Sequence, residues 1–129
     1  MDKRYLIDTS AVIKYLNGTF PLIALEFMDK VIDDICIISF ISEVELKVWN
    51  PGNLQDEQFY MLFVENSEII SISQSIIDLT IEVRKNYKIK LPDAFIAGTA
   101  IANNLTLIAD NDKDFSKIRE LTYINPRFL

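Results

Sequence analysis

The sequence predicts an α/β fold built on a mainly parallel sheet. Short apolar runs alternate with longer stretches of 3.6-residue periodicity, and three glycines and four prolines leave little room for linkers. Half of the 129 residues are hydrophobic, enough to fill one core without disulfides. Residues 1–129 are therefore expected to form a single domain.

Each element has a local reason. The runs Tyr5 to Ile7, Ile35 to Ser39, Ile69 to Ile72 and Thr106 to Ala109 are short and β-branched or apolar, as buried strands are, and Tyr123 with Ile124 closes the set at an edge. Four to five strands result. Helical spacing covers Ser10 to Leu16, Leu22 to Ile32, Ser42 to Trp49, Asp56 to Glu65, Ser75 to Tyr87 and Pro92 to Asn104. Asn17-Gly18, Asn50-Pro51-Gly52 and Asn103-Asn104 fall where three of these helices should stop. Ile41, Val44 and Val48 form an apolar stripe on the third helix, and Glu43 is spaced to pair with Lys47.

Composition excludes much chemistry. There is no histidine, so no Ser-His-Asp centre, imidazole base or His-bound zinc can exist. The single cysteine, Cys36, can make neither an internal disulfide nor a cysteine-based metal site, and in ICII it reads as a small buried hydrophobe suited to a reducing cytoplasm. No apolar stretch is long enough to span a membrane, and Asp8 interrupts the first one, against a signal peptide. Oxygen chemistry remains: 19 acids face 13 bases, for a net charge of −6. Carboxylates select hard cations such as magnesium, manganese or calcium. Acids crowd the middle of the chain, whereas the last third is net basic, with clusters at Arg84, Lys85, Lys88, Lys90 and at Lys113, Lys117, Arg119. Such a patch can meet phosphate or simply favour a helix C-terminus.

Four acidic positions stand out. Asp8 ends the first strand, where it can cap the next helix or face a ligand beyond the sheet edge. Glu45 has Ile41 and Trp49 as its i±4 neighbours, a carboxylate set against an apolar face. Asp93 follows Pro92 at the start of a helix that is otherwise apolar or small. Asp110, Asn111, Asp112 and Asp114 leave the fourth strand together. This last group is no EF-hand, because Phe115 and Leu121 stand where glycine and glutamate are required. All four positions lie at strand ends or on helices that follow strands, so one sheet edge could gather them. Two carboxylates about 5 Å apart repel by about 3 kcal/mol at an effective dielectric near 20, which a divalent cation relieves.

The segments YLIDTSAVIKYL, ISFISEVELKVW and LPDAFIAGTAIANNLTLIADNDKDF, in this order and nearly end to end, resemble the PIN-domain nucleases and, within them, the VapC-type toxins. The resemblance implies a PIN-like three-layer fold and a cytoplasmic Mg2+- or Mn2+-dependent ribonuclease. Asp8, Glu45, Asp93 and Asp114 would be its catalytic and metal-binding acids. Ser10, Lys14 and Asn111 would be substrate contacts, helped by the Arg84 to Lys90 cluster. It further implies a cognate antitoxin and a homodimer. The fourth motif departs from the family pattern: Ala109 replaces threonine, and Asp110 is a second candidate for the fourth acid. Two other functions compete: a PIN-like binding module without activity, and a magnesium-dependent phosphotransferase with Asp8 as nucleophile. The second would need an acid where Ser10 stands.

Overall fold

The computed structural model describes residues 4–129. In chain order the elements are β1 (Tyr5–Ile7), α1 (Thr9–Leu16), α2 (Leu22–Asp34), β2 (Ile37–Ser39), α3 (Phe40–Val48), α4 (Leu54–Glu65), β3 (Glu68–Ile70), α5 (Gln74–Asn86), α6 (Leu91–Ala102), β4 (Thr106–Ile108), α7 (Asp112–Phe115) and β5 (Tyr123–Ile124). A 3-10 turn, Pro126–Phe128, follows. The expected α/β class, the parallel sheet and six helices are present.

Every strand pairing is parallel, and two ladders share the work: β1-β4-β5 and β2-β3. They abut where β2 lies beside β1, giving the spatial order β3-β2-β1-β4-β5. The chain therefore grows outward from β1 through β2 to β3, then crosses back to lay β4 on the other flank of β1. That reversal creates a crevice beyond the carboxyl ends of β1 and β4, where open α/β sheets bind ligands.

Strand alternation sorts the core into two layers. Leu6, Ile37 and Leu107 point to one face and meet Val83 of α5 with Ala94, Ile96, Ala97 and Ala100 of α6. Ile7, Ile38 and Ile108 point to the other and meet Val12, Met28, Leu46, Tyr60 and Val64 from the first four helices. Helices thus cover both faces. The α5–α6 contact is close because Gly98 has no side chain: a Cβ there would come within 2.5 Å of Thr80 Oγ1 and 3.2 Å of the Ile76 carbonyl.

Two expectations need correction. On α3 the buried side chains are Ser42 and Leu46; of the apolar stripe only Ile41 packs against the core, while Val44 and Val48 are exposed. Cys36 is only half-buried, with its Sγ 3.3 Å from the Ser67 hydroxyl. α7 and the closing 3-10 turn are additions to the expected elements, both too short to show periodicity. The Glu43–Lys47 pair does form, at 2.8 Å.

Candidate functional site

β1 is three residues long because Asp8 ends it and starts α1. The Asp8 side chain accepts the Ser10 amide at 3.1 Å and the Ser10 hydroxyl at 2.5 Å, both on Oδ2. Asp8 is thus a helix cap, yet it lies at the crevice and is only 5% exposed. Burial pushes its pKa up to about 6, opposed by Ser10, and the nearby charges of Asp93 and Glu45 push in the same direction as burial.

A cleft of about 700 Å³ opens over this residue, lined by Asp8, Thr9, Ser10, Glu45, Asp93 and Asn111. Ile13, Val44, Val48 and Trp49 form its apolar wall. The exposed valines of α3 therefore belong to the cleft rim. Glu45 reaches the site from the last turn of α3, three residues before its end, and the Thr9 hydroxyl donates to its Oε1 at 2.6 Å. The same hydroxyl lies 2.9 Å from Ser42 Oγ, which Ser39 holds from the end of β2. Asp93 enters from the first turn of α6. Its pKa is raised by burial, then by the charges of Asp114 and Glu45, with Lys90 opposing.

Asp114 stands near enough to Asp93 to be felt electrostatically but does not line the cleft itself. Its carboxylate accepts from Asn111 Nδ2 at 3.1 Å and lies 3.7 Å from Lys117 Nζ. Asp110, the second candidate for that position, is held by other groups: Arg127, Lys14 and Asn125 all donate to it. Hydrogen bonding from Arg127, followed by Lys14 and Asn125, holds its carboxyl well below the usual carboxylate range despite some burial. Lys14 therefore points at Asp110 and not into the cleft. Arg84 and Lys85 sit in the exposed last turn of α5 and border a separate groove with Leu91 and Phe95.

The donor set suits a hard divalent cation. Asp8, Glu45 and Asp93 offer oxygen only, and both Ser10 bonds fall on Asp8 Oδ2, leaving Oδ1 for a cation. Among the described residues no three acids converge into a ready-made cage. Magnesium does not demand one, since it usually keeps several waters and takes one or two carboxylates. Three contributors escaped the sequence reading. Thr9, which orients Glu45, could have been suspected from its place beside Asp8; Asn125 and Arg127 carried no local signal.

Known proteins fit this picture. Residues 5–121 match the family model of the PIN domain. The fold is similar to that of a chain from VapBC2 of Rickettsia felis, solved with a DNA fragment from their promoter, at 26% identity and a TM-score of 0.78, covering 94% of this chain and 97% of that one. It is also similar to a chain of a toxin-antitoxin complex from Klebsiella pneumoniae, at 30% identity and a TM-score of 0.73, covering 95% and 97%. A chain of DNA-bound VapBC from Salmonella typhimurium shares the fold at a TM-score of 0.81 with 18% identity, over 97% and 99% of the two chains. No curated protein matches the sequence.

Proposed function

The chain belongs to the PIN-domain family, and from that premise we propose that it is a nuclease toxin, a Mg2+- or Mn2+-dependent endoribonuclease that hydrolyses RNA phosphodiester bonds. The observation that carries this reading is the cleft at the strand-order reversal, which Asp8, Glu45 and Asp93 line without a basic side chain among the lining residues. A divalent cation there would favour the ionised forms of Asp8 and Asp93, which burial and neighbouring acids disfavour. Asp8 and Asp93 would hold it directly, with Glu45 and Asp114 completing the shell or acting through water. When bound, the cation lowers the pKa of a water and stabilises the negative charge that builds on the scissile phosphate.

The protein's own groups do the positioning. Ser10 fixes Oδ2 of Asp8, and Thr9 fixes Glu45, so each carboxylate keeps one orientation. Asn111, on the cleft wall, can donate to a phosphate oxygen without adding charge. Lys14 is committed to Asp110 and receives no substrate role. The structural relatives named above come from toxin-antitoxin complexes, which supports a cognate antitoxin as partner. A homodimer and a cytoplasmic location complete the proposal. Among the described residues no helix is long and apolar enough to cross a membrane.

The test is cleavage of a structured RNA by the purified protein with and without magnesium. Asp8→Ala and Asp93→Asn should each lower the rate by more than about 100-fold, the scale of losing several kcal/mol of charge stabilisation. Unchanged cleavage in both variants would overturn the site, and cation binding without cleavage would favour a binding module.

A further inference from the structure

The segment after β4 is gripped from one side by three side chains at alternate positions of the tail, Tyr123, Asn125 and Arg127. The Tyr123 hydroxyl donates to Asp112 Oδ1 at 2.6 Å and accepts the Asn111 amide at 3.1 Å. Asn125 Nδ2 donates to Asp110 Oδ1 at 2.8 Å and to Asp112 Oδ1 at 3.0 Å. Arg127 closes on Asp110 Oδ2 with Nε at 3.1 Å and Nη2 at 2.7 Å, a two-pronged bond that also fixes orientation. Its guanidinium lies 5.8 Å over the ring of Phe20, beside α2, where the 3-10 turn packs.

The gripped segment leads into the cleft by two routes. The Asp110 amide donates to Ser10 Oγ at 3.4 Å, and that hydroxyl binds Asp8. Asn111 lines the cleft and holds Asp114 through its side-chain amide. A chain of contacts thus runs from Arg127 through Asp110 and Ser10 to Asp8, and a second from Tyr123 through Asn111 to Asp114.

We infer that Arg127, with Tyr123 and Asn125, is a positioning residue that sets where Asn111, Asp114 and Ser10 stand around the cleft, and so sets the cleft's affinity for a divalent cation. The cation part of this inference rests on the metal-dependent reading above. Arg127 touches neither the cleft acids nor a substrate site; it acts through Asp110. Lysine cannot replace it fully, because a single ammonium cannot make both bonds.

Two measurements on the intact chain decide the matter. Amide hydrogen exchange at residues 110–115 should speed up by about tenfold or more in Arg127→Ala and less in Arg127→Lys, while the amides of β1 and β4 stay protected. Mn2+ affinity, titrated by calorimetry, should fall by about tenfold in Arg127→Ala, the usual scale for losing a group that orients a ligand, and recover partly in Arg127→Lys. If Arg127→Ala does not fold, Tyr123→Phe reads the same amides with one hydroxyl removed. Unchanged exchange overturns the grip, and faster exchange with wild-type Mn2+ affinity overturns its link to the cleft. A wild-type protein that takes up no Mn2+ refutes the metal-dependent reading and the link that rests on it, leaving exchange to decide the grip alone.

Discussion

Asp8 and Asp110 are the same residue type one step or two beyond paired strands, since Ile7 of β1 is in register with Ile108 of β4. Their electrostatics are opposite. Asp110 is met by Arg127, Lys14 and Asn125, which keep it ionised. Asp8 is buried with other acids as neighbours and resists ionisation up to about pH 6. The fold thus supplies cations to one carboxylate and withholds them from the other. Charge satisfaction by the protein's own side chains marks Asp110 as a strut, and its denial is what makes Asp8 the place proposed for an external cation.

The largest effect that would sharpen this contrast is the pH dependence of stability without metal. Asp8 keeps its proton to about pH 6 when folded but loses it near 3.8 when unfolded. Its contribution is therefore complete below about pH 4 and lost as the pH rises through 6, a change of about 3 kcal/mol at roughly 1.4 kcal/mol per unit. Asp93, also raised, acts in the same sense. Thermal melts in a chelator should fall over this window, Asp8→Asn should flatten the fall, and added Mn2+ should reverse it at neutral pH. A flat profile in the wild type would break the comparison on the Asp8 side.

Asp110→Asn should behave in the opposite way. Because the folded-state pKa is lowered, the stabilisation is present above 3.8 and lost as pH falls. At neutral pH the variant should lose about 2 kcal/mol, the worth of charge-assisted hydrogen bonds, measured as a shift in the denaturant midpoint. Smallest is Thr9→Val, which removes the hydroxyl on Glu45 and keeps the shape. RNA cleavage should fall several-fold, on the order of 1 kcal/mol, with the melting point little changed. Equal loss of activity and stability would mean that Thr9 supports the fold and not Glu45.

The two aspartates also show what a sequence discloses. Asp8 was legible as a strand-ending acid because three apolar residues precede it, and the same logic placed Glu45 and Asp93 on helices that begin at the crevice. The strands and six helices were legible from periodicity, with boundary errors of a residue or two. The partners of Asp110 were not, since Lys14 and Arg127 come from opposite ends of the chain and no spacing rule links them. Lys14 looked like a phosphate contact for want of that knowledge. The outward turn of Val44 and Val48 was hidden for a related reason: a helix stripe shows that a face is apolar, not whether it meets a core or a cleft wall.

The ladder of β1 with β4 joins Tyr5 to Thr106, so the crevice has two walls only when segments about a hundred residues apart have met. The crevice that the proposed nuclease would use is thus walled by segments from opposite ends of the fold, and a fragment that lacks either strand has only one of its two walls.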